Sequence, residues 1–122
     1  MHQRKTTTNM KKKFELIRTI FDYIMANGKA YEKSDAISSD CTRDSLVHRV
    51  YIKKVESEIP IHLNGAHATV INMAVTCVEN DYSDATDADV RIEFTHEGKA
   101  RTILYANELP TESLNEIASK LA

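Results

Sequence analysis

The chain has 122 residues, of which 42% are hydrophobic and 28% are charged, and its formal net charge is −2. This length and composition are typical of one globular domain whose core is large enough to fold without a metal or a disulfide framework. The charge balance supports neither a disordered acidic chain nor, taken over the whole chain, a nucleic-acid binder.

Cysteine usage and apolar runs bear on the compartment. The two cysteines, Cys41 and Cys77, are too few for a disulfide framework and lack metal-site spacing. No apolar run approaches the ~20 residues of a membrane span, and the N-terminal residues lack the hydrophobic segment of a signal peptide. The sequence therefore predicts a cytoplasmic protein without membrane contact.

The N-terminal region is basic and contains a strong helix pattern. Eight basic and three acidic residues occupy the first 33 positions, against eight and fifteen in the remainder. We predict residues 1–9 to be a flexible basic arm and residues 10–122 a single α+β domain. Apolar residues at every third or fourth position, Phe14 among them, predict a helix over residues 10–27. Its apolar stripe is wider than a free surface helix needs, so we expect it to lie on a sheet or on a partner.

The next two segments carry weaker signals. Residues 29–45 are polar and nearly without period, which predicts a long connection containing at most one short strand. Residues 46–56 fit a helix or a strand equally by spacing. We favour a strand, because the hairpin that follows needs a strand to extend it, and because β-branched and aromatic residues are frequent there.

A hairpin centred on Asn64-Gly65 organises the middle of the chain. Both residues tolerate the positive φ that a two-residue type I′ turn requires. Strict pairing away from this turn would set charged residues against apolar ones, so we predict a bulge near residues 56–58. Pro60, which has no N–H donor, predicts either an edge strand or a position where its nitrogen faces outward. The turn places three apolar pairs on one face: Leu63 with Ala66, Ile61 with Ala68, and Ile59 with Val70.

The second half of the sequence completes the first hairpin and adds a second one. Residues 68–78 form a nearly continuous apolar run, which predicts a central strand covered on both faces. A second hairpin follows, with strands at residues 90–95 and 100–106 and a turn at 96–99. A two-residue turn would pair Ile92 with Ile103; we favour a bulged three-residue turn that pairs Glu93 with Arg101.

A final helix starts near Thr111, which can cap it. The predicted fold is therefore α+β: an N-terminal helix, a four-stranded antiparallel sheet made of two hairpins, and a C-terminal helix (α-β-β-β-β-α).

The candidate metal site is the pair His62 and His67, which the predicted register places directly opposite each other. Opposed residues on antiparallel strands have Cβ atoms ~5 Å apart, close enough to share a zinc or copper ion. A complete site would need further ligands. Two exposed histidines at polar positions beside a turn are the simpler and favoured interpretation, and pH sensing is a third.

Two charged segments are candidate contact surfaces. An acidic loop lacks the glycine and closing glutamate of a calcium loop, so we expect it to be solvated or to bind a basic partner. Its residues are Asp81, Asp84, Asp87 and Asp89. A basic group could contact nucleic acid or an acidic partner. Its residues are Arg4, Lys5, Lys11, Lys12, Lys13 and Arg18.

Signals for catalysis are weak. Cys41, Asp44 and His48 contain the residue types of a nucleophilic site, but no nucleophile elbow, oxyanion turn or phosphate loop accompanies them. We therefore predict no enzymatic activity and no cofactor. The favoured function is a small protein-interaction module (adaptor, inhibitor or chaperone-like) that acts through homodimerisation and partner-protein binding. The alternatives are a nucleic-acid-binding regulator that uses the basic N-terminal residues, and a metal-binding protein or enzyme at His62 and His67.

Overall fold

The computed structural model describes residues 2–32, 47–80, 89–96 and 100–121, and within them the chain forms an antiparallel sheet with a helix at each end of the sequence. The strands lie in the sheet in the same order as in the chain. The α+β class is as predicted. The elements are α1 (His2–Asn27), β1 (Lys29–Glu32), β2 (Val47–Leu63), β3 (Ala66–Asn80), β4 (Arg91–Thr95), β5 (Arg101–Tyr105), a short 3₁₀ turn (Ala106–Glu108) and α2 (Thr111–Ser119).

The sheet has five strands, not the four that the sequence predicts. The additional strand is β1, within the predicted connection 29–45; the rest of that connection lies outside the described residues. β1 pairs with β2, with Tyr31 opposite Ile52. Its four residues include only two apolar ones, Ala30 and Tyr31, which is too short a pattern to show an alternation. Pairing with a longer strand therefore decides its conformation.

Helix α1 begins at His2, eight residues before the predicted start, so residues 2–9 of the predicted flexible arm have helical backbone. Helix formers such as Gln3 and Arg4 allow a helix to continue without a stop signal. Among the side chains that the structure describes, burial of the apolar stripe begins at Ile17, and Phe14, predicted to be part of the buried stripe, is 65% exposed. The overlap with the sheet, rather than the apolar pattern alone, sets how much of the stripe is buried.

The central hairpin is as predicted. Asn64 and Gly65 have φ values of 54° and 87°, the left-handed region that the turn requires. The pairs Leu63 with Ala66 and His62 with His67 flank it. A register shift lies between Glu56 and Ile59 of β2, at the predicted bulge. This shift sets Lys54 opposite Ala74, and Lys53 then lies opposite Val75.

Strand β3 is central, between β2 and β4, but the helices of the described residues cover it on one face only. Val70, Met73 and Val75 are buried, whereas Asn72 and Ala74 on the opposite face are half-buried. The buried side chains of both helices and of this one face form a single core cluster. The prediction of a strand covered on both faces is therefore wrong, because both helices contribute to the same side of the sheet.

The β4–β5 register differs from both registers considered above. Ile92 lies opposite Leu104, and Glu93 lies opposite Ile103. The connecting residues 97–99 lie outside the described residues, so the predicted turn types do too. The observed register keeps Ile92 and its neighbour Phe94 in the core, and it brings Arg101 to within 3.6 Å of Glu93 as a diagonal ion pair.

None of the helices in the described ranges combines the length and the apolar character that a bilayer crossing needs.

Candidate functional site

The segment Ile59–Leu63 of β2 has helix α2 along its outer edge. Strand β1 pairs only with residues 51–54 of β2, so within the described part of the chain no strand covers this segment. The tight turn makes Leu63 and Ala66 a hydrogen-bonded pair, and the alternation of antiparallel ladders then directs the N–H and C=O of His62 away from β3. These two groups face α2.

Two side chains of α2 satisfy the outward backbone groups of His62. The His62 N–H donates to Glu116 Oε1 over 2.6 Å, and Ser113 Oγ donates to the His62 carbonyl oxygen over 2.6 Å. Ser113 is fully buried. Helix α2 therefore takes the place of a neighbouring strand at this position, and it prevents this edge of β2 from pairing with a strand of another chain.

The second oxygen of Glu116 binds the imidazole of the same histidine. Glu116 Oε2 lies 2.9 Å from His62 Nδ1, and because a carboxylate only accepts, this contact favours a proton on Nδ1. The hydrogen bond from the His62 side chain, followed by the one from its backbone, lowers the pKa of Glu116 below its ordinary value. The ring of His62 is thereby held at a defined orientation, with Nε2 as its remaining ring nitrogen.

The two predicted histidines are adjacent. His62 and His67 are directly paired, and their ring centroids lie 4.6 Å apart with planes tilted by 50°. Among the residues that the structure describes, no group of three or more histidine, cysteine or carboxylate side chains is arranged to hold a metal ion. Tetrahedral protein zinc sites use three or four such ligands.

Metal binding at this pair therefore stays a prediction, and it has a direct test. If an ion is bound, zinc titration will shift the ring signals of His62 and His67 in NMR spectra and raise the melting temperature. Unchanged signals and an unchanged melting temperature would exclude the site.

The basic candidate residues all lie in helix α1, and most of the acidic candidates lie outside the described residues. Arg18 is exposed, forms an ion pair with Asp22 at 3.3 Å, and has its guanidinium 5.3 Å from the centre of the Phe21 ring. Lys12 is exposed and Lys13 is half-buried. The backbone positions of Arg4, Lys5 and Lys11 are in α1. Asp89 is exposed, and the other three acidic candidates, Asp81, Asp84 and Asp87, lie outside the described residues.

The sheet face opposite the helices, here called the open face, was not predicted. It leaves three large apolar side chains exposed: Ile103 at 59%, Tyr31 at 49% and Tyr105 at 49%. A shallow depression of about 200 Å³ lies on this face. It is lined by Ile52, Lys54, Asn72, Ala74, Arg91, Glu93 and Ile103. Ile103 lines this depression, whereas Tyr31 and Tyr105 lie on the two outer strands. Large apolar side chains exposed on one surface are typical of binding surfaces.

A polar network crosses the open face between these apolar residues. Asn72 Nδ2 donates to Glu93 Oε1 over 2.9 Å, and Arg101 pairs with the other carboxylate oxygen of Glu93. The guanidinium of Arg91 donates to Thr76 Oγ1. These bonds fix the charged side chains in place, so the face presents a defined pattern of apolar and charged groups.

One sequence signal could have revealed the open face. Val90, Ile92 and Phe94 alternate with polar residues, and this period of two marks a sheet with a single buried face. The continuous apolar run of β3 instead indicated a sheet buried on both faces, because its small and β-branched residues on the open face are also typical of a core.

Comparisons with protein-family models, with curated proteins and with solved structures give no match. The functional conclusion therefore depends on the geometry of the molecule.

Proposed function

We propose that this protein is a small, non-enzymatic cytoplasmic interaction module that forms a homodimer and binds a partner protein through the open face. The observation that carries the proposal is the exposure of Ile103, Tyr31 and Tyr105 on one uncovered sheet face. Burying such side chains against a partner contributes roughly 25 cal/mol per Å² of apolar surface removed from water.

The composition of the open face supports protein binding in particular. Tyrosine and arginine are enriched at protein interfaces, because each combines a large contact area with hydrogen-bonding groups. The open face has Tyr31 and Tyr105 on its outer strands β1 and β5, Arg101 also on β5, and Arg91 on the neighbouring strand β4. Charged side chains already held by Thr76 or Glu93 lose little freedom when a partner docks, which lowers the entropic cost of binding.

Sedimentation velocity across a concentration series tests the proposal. The full chain is expected to shift from monomer to dimer between low micromolar and the highest attainable concentration. Ile103→Lys should weaken the dimer by about tenfold or more, since it replaces an exposed apolar side chain of the sheet with a charge. A strict monomer at every concentration would remove the homodimer from the proposal.

A matched control is available on the helix side of the molecule. Phe14 is even more exposed than Ile103, at 65%, but it lies on α1 and not on the sheet. Phe14→Lys should therefore leave dimerisation unchanged. If Phe14→Lys dissociates the dimer and Ile103→Lys does not, the association surface is on α1 and its assignment to the sheet is wrong.

Nucleic-acid binding is the second candidate function, and one observation favours it. Because α1 begins at His2, the basic positions 4, 5 and 11–13 lie within one continuous helix, which could follow a phosphate backbone. Against this role, Arg18 is already engaged with Asp22 and Phe21.

A further inference from the structure

The outer edge of strand β5 is a candidate site for pairing with another strand. β5 is the last strand of the sheet, and four of its five residues are exposed. In the part of the chain that the structure describes, no strand pairs with its outer side. Its sequence, Arg-Thr-Ile-Leu-Tyr, has high strand propensity, lacks proline and carries a charge only at Arg101. Natural proteins usually protect an edge of this kind by charge, proline or cover.

The outward backbone groups of β5 can be assigned from the hydrogen bonds around it. The Ala106 N–H donates inward, to the Val90 carbonyl oxygen over 2.8 Å. Backbone groups alternate along a strand, so the N–H groups of Tyr105, Ile103 and Arg101 point outward. The Tyr105 N–H is taken by Glu108 Oε1 at 2.9 Å. The outward groups that remain are the N–H groups of Arg101 and Ile103 and the carbonyl groups of Arg101, Ile103 and Tyr105, so the edge is short and includes Ile103.

We infer that a second copy of this chain docks here, by antiparallel pairing of β5 with the β5 of the other protomer about a two-fold axis. The inference rests on the proposed homodimer and specifies its geometry. The two sheets would join into one sheet of ten strands, and the two open faces would become continuous. The structure favours a second copy as the occupant because β5 is complementary to itself in one particular register.

That register is centred on Ile103. It places Ile103 opposite Ile103 of the other protomer, and Arg101 opposite Tyr105 of the other protomer. The first pair buries two side chains that are 59% exposed in the monomer. The second brings a guanidinium to an aromatic ring, an attractive cation–π arrangement. The two Arg101 residues stay four positions apart, so no like charges face each other.

Other registers are less favourable. The outward backbone groups of one β5 must bond to the outward backbone groups of the other, so the register can shift only in steps of two residues. Because β5 has five residues, a slip of two in either direction leaves only three residues paired. The opposite edge strand, β1, has four residues. A symmetric antiparallel pair of two β1 strands, centred on one of these residues, therefore joins only three residues of each protomer. β5 is therefore the edge on which a symmetric ladder can be longest.

The first test removes the outward hydrogen bond and leaves the fold intact. Ile103→Pro deletes an N–H that points away from β4 and for which the described residues show no acceptor, and proline is tolerated on an edge strand when its nitrogen faces solvent. In sedimentation velocity, Ile103→Pro should weaken the dimer by about tenfold or more. Its far-ultraviolet circular dichroism spectrum should match that of the unaltered protein.

The second test reports the register and does not depend on the proline variant folding. In a Cys41→Ser background, a protein carrying Arg101→Cys is mixed under oxidising conditions with a tagged protein carrying Tyr105→Cys. These positions are directly opposed in the proposed ladder, with Cα atoms ~5.5 Å apart, within the range that a disulfide spans. Each variant alone should cross-link poorly, because identical positions would lie about 13 Å apart along the strands.

The outcomes separate this inference from the proposed function. A mixed disulfide together with a weakened Ile103→Pro dimer supports edge pairing. A full-strength dimer in Ile103→Pro, or no preference for the mixed disulfide, overturns edge pairing and leaves a homodimer formed by another surface. A monomeric unaltered protein overturns the homodimer and the edge pairing together. Tyr31→Cys, exposed on the far edge, is the negative control for cross-linking.

Discussion

The attachment of α2 to the edge of β2 makes a prediction about stability. In Ser113→Ala, the His62 carbonyl oxygen loses the donor that lies 2.6 Å away. Ser113 is fully buried, so water cannot easily replace the missing hydroxyl. An unsatisfied buried acceptor of this kind destabilises a protein by about 1–3 kcal/mol.

The expected size of the effect follows from two opposing contributions. Loss of the hydrogen bond costs about 2 kcal/mol, the middle of that range. Alanine is a better helix former than serine, which returns about 0.5 kcal/mol to α2. The net destabilisation is therefore about 1.5 kcal/mol, which corresponds to a fall in melting temperature of about 6 °C for a chain of this size.

Urea denaturation followed by circular dichroism measures this change, and a second serine of α2 is the control. Ser119 is exposed, and its hydroxyl donates to the Glu116 carbonyl oxygen within the same helix. Ser119→Ala should alter the free energy of unfolding by less than about 0.5 kcal/mol. If Ser113→Ala is equally mild, the reasoning that α2 acts as a substitute for a strand at His62 is refuted.

Three further predictions concern charge and backbone conformation. The hydrogen bonds from His62 lower the pKa of Glu116 from an ordinary value of 4.5. The carboxylate therefore stabilises the fold at pH values above 4.5, and this contribution is lost as the pH falls through the lower pKa of the folded state. The stability difference between the unaltered protein and Glu116→Gln, measured by urea denaturation, should therefore be present at neutral pH and shrink in acid; a difference that grows in acid would contradict it. Gly65→Ala should cost about 1–2 kcal/mol in the same assay because of the positive φ alone, since an added Cβ meets no atom within 4 Å, and an unchanged stability would show that the turn relaxes. If the alternative function is correct, nucleic acid will be retained in a filter-binding assay, retention will fall steeply with salt, and it will be lost when the three lysines at 11–13 are changed to alanine; retention that survives this change would place the contact elsewhere.

Local rules determined the parts of the fold that the sequence predicts well. Asn64 and Gly65 specify the turn, and the turn then fixes the positions of His62 and His67 without any long-range information. The bulge near Glu56 was predictable because strict pairing would have set charges against apolar side chains. In both cases residues close in the chain decide the outcome.

The missed features depend on contacts between distant parts of the chain. Glu116 and Ser113 belong to an ordinary amphipathic helix, and nothing in their spacing indicates that they bind His62, more than 50 positions away. The open face was missed because the run in β3 reads as buried on both sides. Whether a second helix covers that face depends on the path of the chain, which the pattern of apolar residues does not encode.

The agreement between strand order and chain order has a kinetic consequence. Each strand pairs only with its neighbours in the sequence, so the sheet can form by successive local ladders. The docking of α2 is different, because it joins positions 51 to 54 residues apart and closes a long loop. We therefore expect the antiparallel sheet to be largely formed in the folding transition state, and α2 to pack against the sheet only after it.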